Sequence, residues 1–229
     1  ANVSHEIRTP LTVLSGFVET MQSIPLEEAD RTRYLGLMAQ QAQRMQTLVS
    51  DLLTLSRLEG SPAPGAGEWI DSAELLAHVV QEALGLTQAI ATPAHQIEAD
   101  SAASFWVSGA KTELLSAMSN LLSNAVRYTP GGGHIRAGWR LRADGCGEFW
   151  VQDSGPGIAA EHLPRLTERF YRVDRSRSRE TGGTGLGLAI VKHVLQRHGG
   201  TVEIDSALGK GSTFRLVLPA SRVRQRPRN

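Results

Sequence analysis

The chain has a single cysteine, no long apolar run and almost no net charge, and each shortage excludes something. With Cys146 alone, no internal disulfide can form and a reducing compartment is expected. Cys146 lies in Asp144-Gly145-Cys146-Gly147, which reads as a turn where the thiol is incidental. No apolar run is long enough to span a bilayer and no signal peptide opens the sequence, so the chain is expected to be soluble. The 24 Lys+Arg against 23 Asp+Glu leave a net charge of +1, which removes the electrostatic case for direct nucleic-acid binding. Arginines crowd residues 221–229, read as a disordered basic tail. At 229 residues the chain can hold one large domain or two small ones, and the two-domain reading is adopted.

Apolar residues at Val3, Ile7, Leu11, Leu14, Val18 and Met21 recur every three or four positions, so a first helix is predicted to about Gln22. After a break at Ile24-Pro25, a seam runs through Tyr34, Met38, Gln41, Met45, Leu48, Leu52 and Leu55, broken once by Gln41. The two stripes predict an antiparallel helical hairpin over residues 1–58. Each stripe is then buried on one side only, and pairing of two hairpins into a dimeric four-helix bundle is the economical completion. The alternative is that the hairpin packs on its own downstream domain.

Ser4-His5-Glu6-Ile7-Arg8-Thr9-Pro10-Leu11 places a histidine, a carboxylate and a threonine on successive turns of the first helix. His5, Thr9, Thr12 and Gly16 form a stripe offset from the apolar one, so the histidine faces water. An imidazole that titrates near neutrality can attack phosphorus, and Glu6 can accept its proton. Pro10 cannot bond the Glu6 carbonyl four residues back, which loosens the turn. A solvated surface histidine followed by an ordinary kink fits this stretch alone equally well.

Residues 59–69 are rich in Gly, Pro and Ser without periodicity and read as a linker. Asp71 and Glu74 resemble a capping box opening a helix to about Leu84. Strands are predicted near His95 to Ala99, Phe105 to Val107, Ile135 to Leu141, Glu148 to Gln152, Val202 to Asp205 and Thr213 to Leu218. Helices are predicted at Lys111 to Arg127 and Leu186 to His198. Mixed helices and mainly antiparallel strands over 70–220 make a two-layer α/β sandwich.

Four elements of that region are each weak alone. Asn120 and Asn124 lie one helical turn apart, where amide oxygens can ligate a hard cation or orient phosphates, but paired asparagines are more often polar surface. Asp153-Ser154-Gly155-Pro156-Gly157 follows a strand, and Asp153 can accept from the amino group of a purine; a strand-ending turn explains it as well. Gly182-Gly183-Thr184-Gly185-Leu186-Gly187 precedes a helix whose N-H groups and positive end suit a polyphosphate. It lacks a P-loop ending and no strand leads into it. Gly209-Lys210-Gly211-Ser212-Thr213 can be no more than a hairpin turn.

Taken in order, the asparagine box, Asp-x-Gly-x-Gly, Arg169-Phe170-Tyr171-Arg172-Val173-Asp174, Gly-x-Gly-x-Gly and Gly-Lys-Gly-Ser-Thr-Phe resemble the ATP-binding domain of sensor histidine kinases. With the Ser-His-Glu-Ile-Arg-Thr-Pro-Leu stretch, the resemblance covers Ala1 to Pro219. At finer grain, Leu163 to Asp174 and Gly185-Leu-Gly-Leu-Ala-Ile-Val-Lys-His193 look like the phosphate-regulon sensor kinases of proteobacteria.

The resemblance implies that His5 is phosphorylated from ATP and passes the phosphoryl group to a response-regulator aspartate, with Glu6 as acid/base. It implies that Asn120 holds Mg2+, with Asn124 as a possible second ligand, and that Arg127 and Tyr128 flank the nucleotide. Arg127 stands where many relatives have lysine, which changes the phosphate geometry but keeps the charge. Asp153 would select adenine, Gly155 and Gly157 shape the purine pocket, and Thr213 lies near the adenine edge. Tyr171, Gly183, Thr184, Gly185, Leu186 and Gly187 join the cofactor set, and Phe170 anchors the segment Arg172 to Thr184. Arg172 is the first choice for transition-state charge; Arg175, Arg177 and Arg179 either reach the γ-phosphate or are solvated. Thr9 would place a water for hydrolysis of the phospho-regulator.

The same resemblance implies a homodimer with a receiver-domain partner, no direct nucleic acid, and a membrane link only through a missing N-terminal region. Because only four residues precede His5, a cytoplasmic fragment of a longer inner-membrane sensor is expected, with a frayed first turn. Two rival readings are a related ATPase of the gyrase and chaperone type without histidine phosphorylation, and a dimerising scaffold that docks a receiver domain.

Overall fold

Periodic apolar stripes without an early breaker produce two long helices, α1 (Asn2–Ser23) and α2 (Glu28–Gly60). The computed structural model describes residues 2–65, 68–101, 103–173 and 183–225. Glu28 and Asp30 sit in the first turn of α2, where negative charge complements the helix dipole. The helices pack as a hairpin, with the Phe17 and Tyr34 rings 5.5 Å apart near the loop. Helix α1 continues through Pro10. The Thr9 hydroxyl donates to the His5 carbonyl at 3.1 Å and the Thr12 hydroxyl to the Arg8 carbonyl at 3.1 Å. These bonds add partners to carbonyls on either side of the one that Pro10 leaves without its helical N-H.

Among the described residues, three α-helices and two sheets follow. The helices are α3 (Ser72–Ile90), α4 (Lys111–Tyr128) and α5 (Gly187–Arg197). Strands β2 (Gln96–Asp100), β4 (His134–Leu141), β5 (Gly147–Asp153), β7 (Ser212–Leu218) and β6 (Thr201–Ser206) form a sheet in the order β2-β4-β5-β7-β6. Only β2 and β4 are parallel. A smaller antiparallel sheet takes β1 (Trp69–Asp71), β3 (Phe105–Ser108) and β8 (Val223–Gln225) in the order β1-β3-β8. Period-two alternation sends Ile135, Ala137 and Trp139 of β4 inward against α3 and α4, while Arg136 and Arg140 face out. Trp139 packs edge-on to Phe105 and lies 5.4 Å from Phe149. On the outer face the buried Glu148 carboxylate meets Arg140 at 2.6 Å and Arg142 at 2.5 Å, and Arg142 also grips Glu203 through two bonds.

Three expectations are corrected. Helix α3 does not stop near Leu84; Gly85 has open space around it and the helix passes through to Ile90. Its last turn carries Thr87, whose hydroxyl lies 2.6 Å from His95 Nδ1 and accepts from the His95 N-H at 2.9 Å. His95 is therefore a tie between α3 and the end of α4, and the strand begins at Gln96. The tail is not wholly disordered, since Val223–Gln225 pair with β3; residues 226–229 lie outside the described set. Glu59 and Gly60, expected in the linker, complete α2.

Part of the hairpin stripe is also covered within the chain. Leu48, Leu55 and Leu58 of α2 are buried in the same apolar cluster as α5, so the C-terminal half of α2 lies on the α/β layer of its own chain. The linker that follows is held at its carbonyls. Arg197 donates to Leu58 O at 2.7 Å, Ser61 O at 2.6 Å and Pro62 O at 2.9 Å, and Arg222 donates to Pro64 O at 2.8 Å.

Candidate nucleotide and phosphoacceptor site

Helix α4 is amphipathic, burying Leu114, Met118, Leu121, Leu122 and Val126, and this fixes which way its polar residues point. Asn120 Nδ2 donates to the Ser116 carbonyl at 2.8 Å, which turns its Oδ1 away toward the start of α5. The approach is close: a Cβ on Gly187 would lie 2.6 Å from that oxygen. An amide oxygen presented beside a helix N-terminus fits a site for Mg2+ and phosphate, the hard cation taking oxygen ligands. Asn124 stands one turn on, half-buried, and Arg127 and Tyr128 end the helix. A Cβ on Gly183 would come 3.1 Å from the Tyr128 hydroxyl, so Tyr128 borders the glycine loop.

Asp153 ends β5 and accepts from the Gly155 N-H at 2.8 Å. Burial pushes its carboxyl above the usual range, against the downward pull of backbone donors at Gly155 and Ser212. Gly157 has φ 71° and a Cβ there would lie 1.9 Å from Ala207 O, so no other residue fits. Thr213 on β7 pairs with Gln152 on β5 and Asp205 on β6, half-buried.

The Gly183-Thr184-Gly185-Leu186-Gly187 segment opens α5, with Thr184 and Leu186 buried. The Phe170 N-H donates to Gly185 O at 2.8 Å, with Phe170 itself at φ 63°. Phe170 is thus tied to the glycine loop, while most of the segment Arg172 to Thr184 that it is expected to anchor (174–182) lies outside the described residues. Tyr171 is committed elsewhere: its hydroxyl lies 2.8 Å from His162 Nδ1 and Arg165 stacks 4.3 Å over its ring, tying it to the turn Ala160–Arg165. Arg175, Arg177 and Arg179 lie outside the described residues.

His5 and Thr9 are exposed on α1, and Glu6 is half-buried. A crevice lined by Glu6 and Pro10 of α1, Arg44, Met45 and Leu48 of α2, and Arg172 and Thr184 lies between α1 and the glycine loop. Sequence reasoning missed the contacts that close this junction. Thr184 donates to Asp51 at 2.6 Å, Glu59 pairs with Arg169, and His193 lies 3.6 Å from Glu59. Burial and the neighbouring Arg169 and Lys192 hold the His193 imidazole below its ordinary value. Asp51 adjoins an apolar seam position and carries no local signal of its partner.

Two protein families match the chain. Residues 1–61 match the His Kinase A (phospho-acceptor) domain, and residues 109–222 match the histidine kinase-, DNA gyrase B- and HSP90-like ATPase. The phosphate regulon sensor protein PhoR of Pseudomonas aeruginosa is 48% identical over 229 residues, all of this chain and 51% of the relative. PhoR of Haemophilus influenzae is 36% identical over 219 residues, covering 96% of this chain and 50% of the relative. The chain thus spans about half the length of these curated relatives. Among solved structures, the histidine kinase ThkA in complex with the response regulator protein TrrA superposes with a TM-score of 0.71 at 21% identity, over 96% of this chain and 60% of that one, a likeness of fold.

Proposed function

Because the chain belongs to the sensor histidine kinases, we propose that it is the catalytic core of one, in which ATP phosphorylates His5 and the phosphoryl group passes to an aspartate of a response regulator. The observation that carries this reading is the crevice that Glu6 lines together with Thr184 and Arg172. Residues 1–58 act as the acceptor and dimerisation hairpin and 70–220 as the ATP-binding domain, joined by the 59–69 linker. A ring nitrogen of His5 attacks the γ-phosphorus, Glu6 takes the proton, and ADP leaves. Asn120, with Asn124, would hold Mg2+, which supplies charge neutralisation at the phosphates when bound. Arg172 and the α5 N-terminus share that task, which is most of what phosphoryl transfer asks of a protein.

Asp153 accepts from adenine, Gly155 and Gly157 shape the purine pocket, and Tyr128 and Arg127 flank it. Thr9, one turn from His5, positions water for hydrolysis of the phospho-regulator. Exposed Val3, Leu11, Val18, Leu35, Val49 and Leu53 support pairing of two hairpins. The likeness to the PhoR proteins supports a role in phosphate-responsive signalling within a longer membrane sensor. Among the described residues no helix is long and apolar enough to cross a membrane.

Incubation with γ-labelled ATP and Mg2+ tests the reading. Acid-labile label that is absent in His5→Gln and transfers to a receiver domain is expected; label that persists in His5→Gln overturns it. Hydrolysis without protein labelling favours the related ATPases.

A further inference from the structure

Helix α2 delivers an acidic side chain to the glycine loop. The Thr184 hydroxyl donates to Asp51 Oδ2 at 2.6 Å and accepts from the Leu186 N-H at 3.2 Å. One buried hydroxyl therefore connects a carboxylate of the hairpin to the turn that opens α5. The contact lies at the edge of the crevice that Arg44, Arg172 and Glu6 line. Burial pushes the half-buried Asp51 carboxyl above its ordinary value, with the Thr184 bond pulling the other way.

The N-H groups and positive end of α5 are also what a polyphosphate would take. Two anions cannot share one small electropositive turn without mutual repulsion. The hairpin is held to the α/β layer at a second place, where Glu59 meets Arg169 and His193, eight residues further along α2 and off the loop. That second contact does not involve the glycine loop.

We propose that Asp51 is a built-in competitor for the phosphate loop: its docking on Thr184 and the binding of a nucleotide polyphosphate exclude one another, so the docked hairpin lowers affinity for phosphorylated nucleotide. This rests on the reading that the loop holds the phosphates of ATP. The competition is with phosphate charge, and adenosine, which has none, escapes it. Asp51 acts through Thr184 and is a positioning residue; it touches no reacting atom.

The test compares binding of a non-hydrolysable ATP analogue with Mg2+, and of adenosine, to the whole chain by calorimetry. Asp51→Asn keeps the shape of the side chain and removes its charge. It is expected to tighten the analogue about tenfold and leave adenosine unchanged. Glu59→Gln loosens docking without removing the competing carboxylate, and a smaller gain is expected. Unchanged or weakened analogue binding in Asp51→Asn overturns the inference while the nucleotide site stands. Equal tightening of adenosine, or a larger gain in Glu59→Gln than in Asp51→Asn, also overturns it by assigning the effect to loosened packing. If neither the parent chain nor Asp51→Asn binds the analogue, the nucleotide reading itself falls and takes this inference with it.

Discussion

The hairpin and the α/β layer treat their apolar residues differently. In the layer, Ile135, Ala137, Phe149, Val151, Val191 and Val194 are fully buried by elements of the same chain. In the hairpin, Leu48, Leu55 and Leu58 find cover on α5, while Leu35 at 50% and Leu53 at 53% exposure do not. The layer is completed within one chain, and the hairpin presents a face that a further surface must cover. Under the proposed function that contrast separates two jobs: the layer holds a nucleotide, and the hairpin pairs and docks.

Phe149→Ala is the strongest way to break the contrast from the layer's side. It removes a fully buried ring beside Trp139 and is expected to cost about 3–5 kcal/mol in denaturant unfolding. A loss below about 1 kcal/mol would mean that the layer is not the tight core described. Gly157→Ala comes next, at about 3 kcal/mol, because it strains a positive φ and drives a Cβ into Ala207 O. Nucleotide affinity should fall with it. On the hairpin side, Leu35→Ser and Leu53→Ser are expected to weaken self-association by about 2 kcal/mol each while leaving monomer unfolding nearly unchanged. Sedimentation equilibrium reads the first quantity and thermal melts at low concentration the second. Arg197→Ala frees the linker carbonyls, and about 1–2 kcal/mol is expected, with faster proteolysis between Ser61 and Gly65.

Asp153→Asn has the smallest effect on stability, and its sign is informative. Burial raises the folded carboxyl's pKa above its unfolded value, so the native state binds more protons and stability falls as pH rises through that window. At neutral pH the buried charge is a net cost. The asparagine should melt slightly higher, with flattened dependence on pH in the acid range, while losing adenine affinity. For the parent chain, nucleotide binding should begin to weaken on acidification at a higher pH than an ordinary aspartate would give.

Most elements of the fold were legible because their signals are local. The Ile135, Ala137, Trp139 alternation and the α4 stripe each match the observed strand and helix within about a residue. Strand β8 was not legible, since Val223–Gln225 sits in an arginine-rich end and becomes a strand only by pairing with β3 more than a hundred residues earlier. Helix α3 overran its expected end because Gly85, a breaker in sequence, meets no obstacle in space. At the site, Asn120, Asp153 and the glycine loop announced themselves through spacing. Asp51 did not, because its partner Thr184 is 133 residues away. Tyr171 lay in a legible motif, yet its partners His162 and Arg165 are fixed by the local turn rather than by the motif.

The central claim is that the nucleotide held by the layer phosphorylates the exposed histidine of the hairpin. Phosphorus-31 NMR of the chain after incubation with Mg-ATP tests it most directly. A single phosphoramidate resonance that vanishes in acid, persists in base and is absent from His5→Gln is the predicted result. A phosphate-ester signal, or a phosphoramidate retained in His5→Gln, would contradict it.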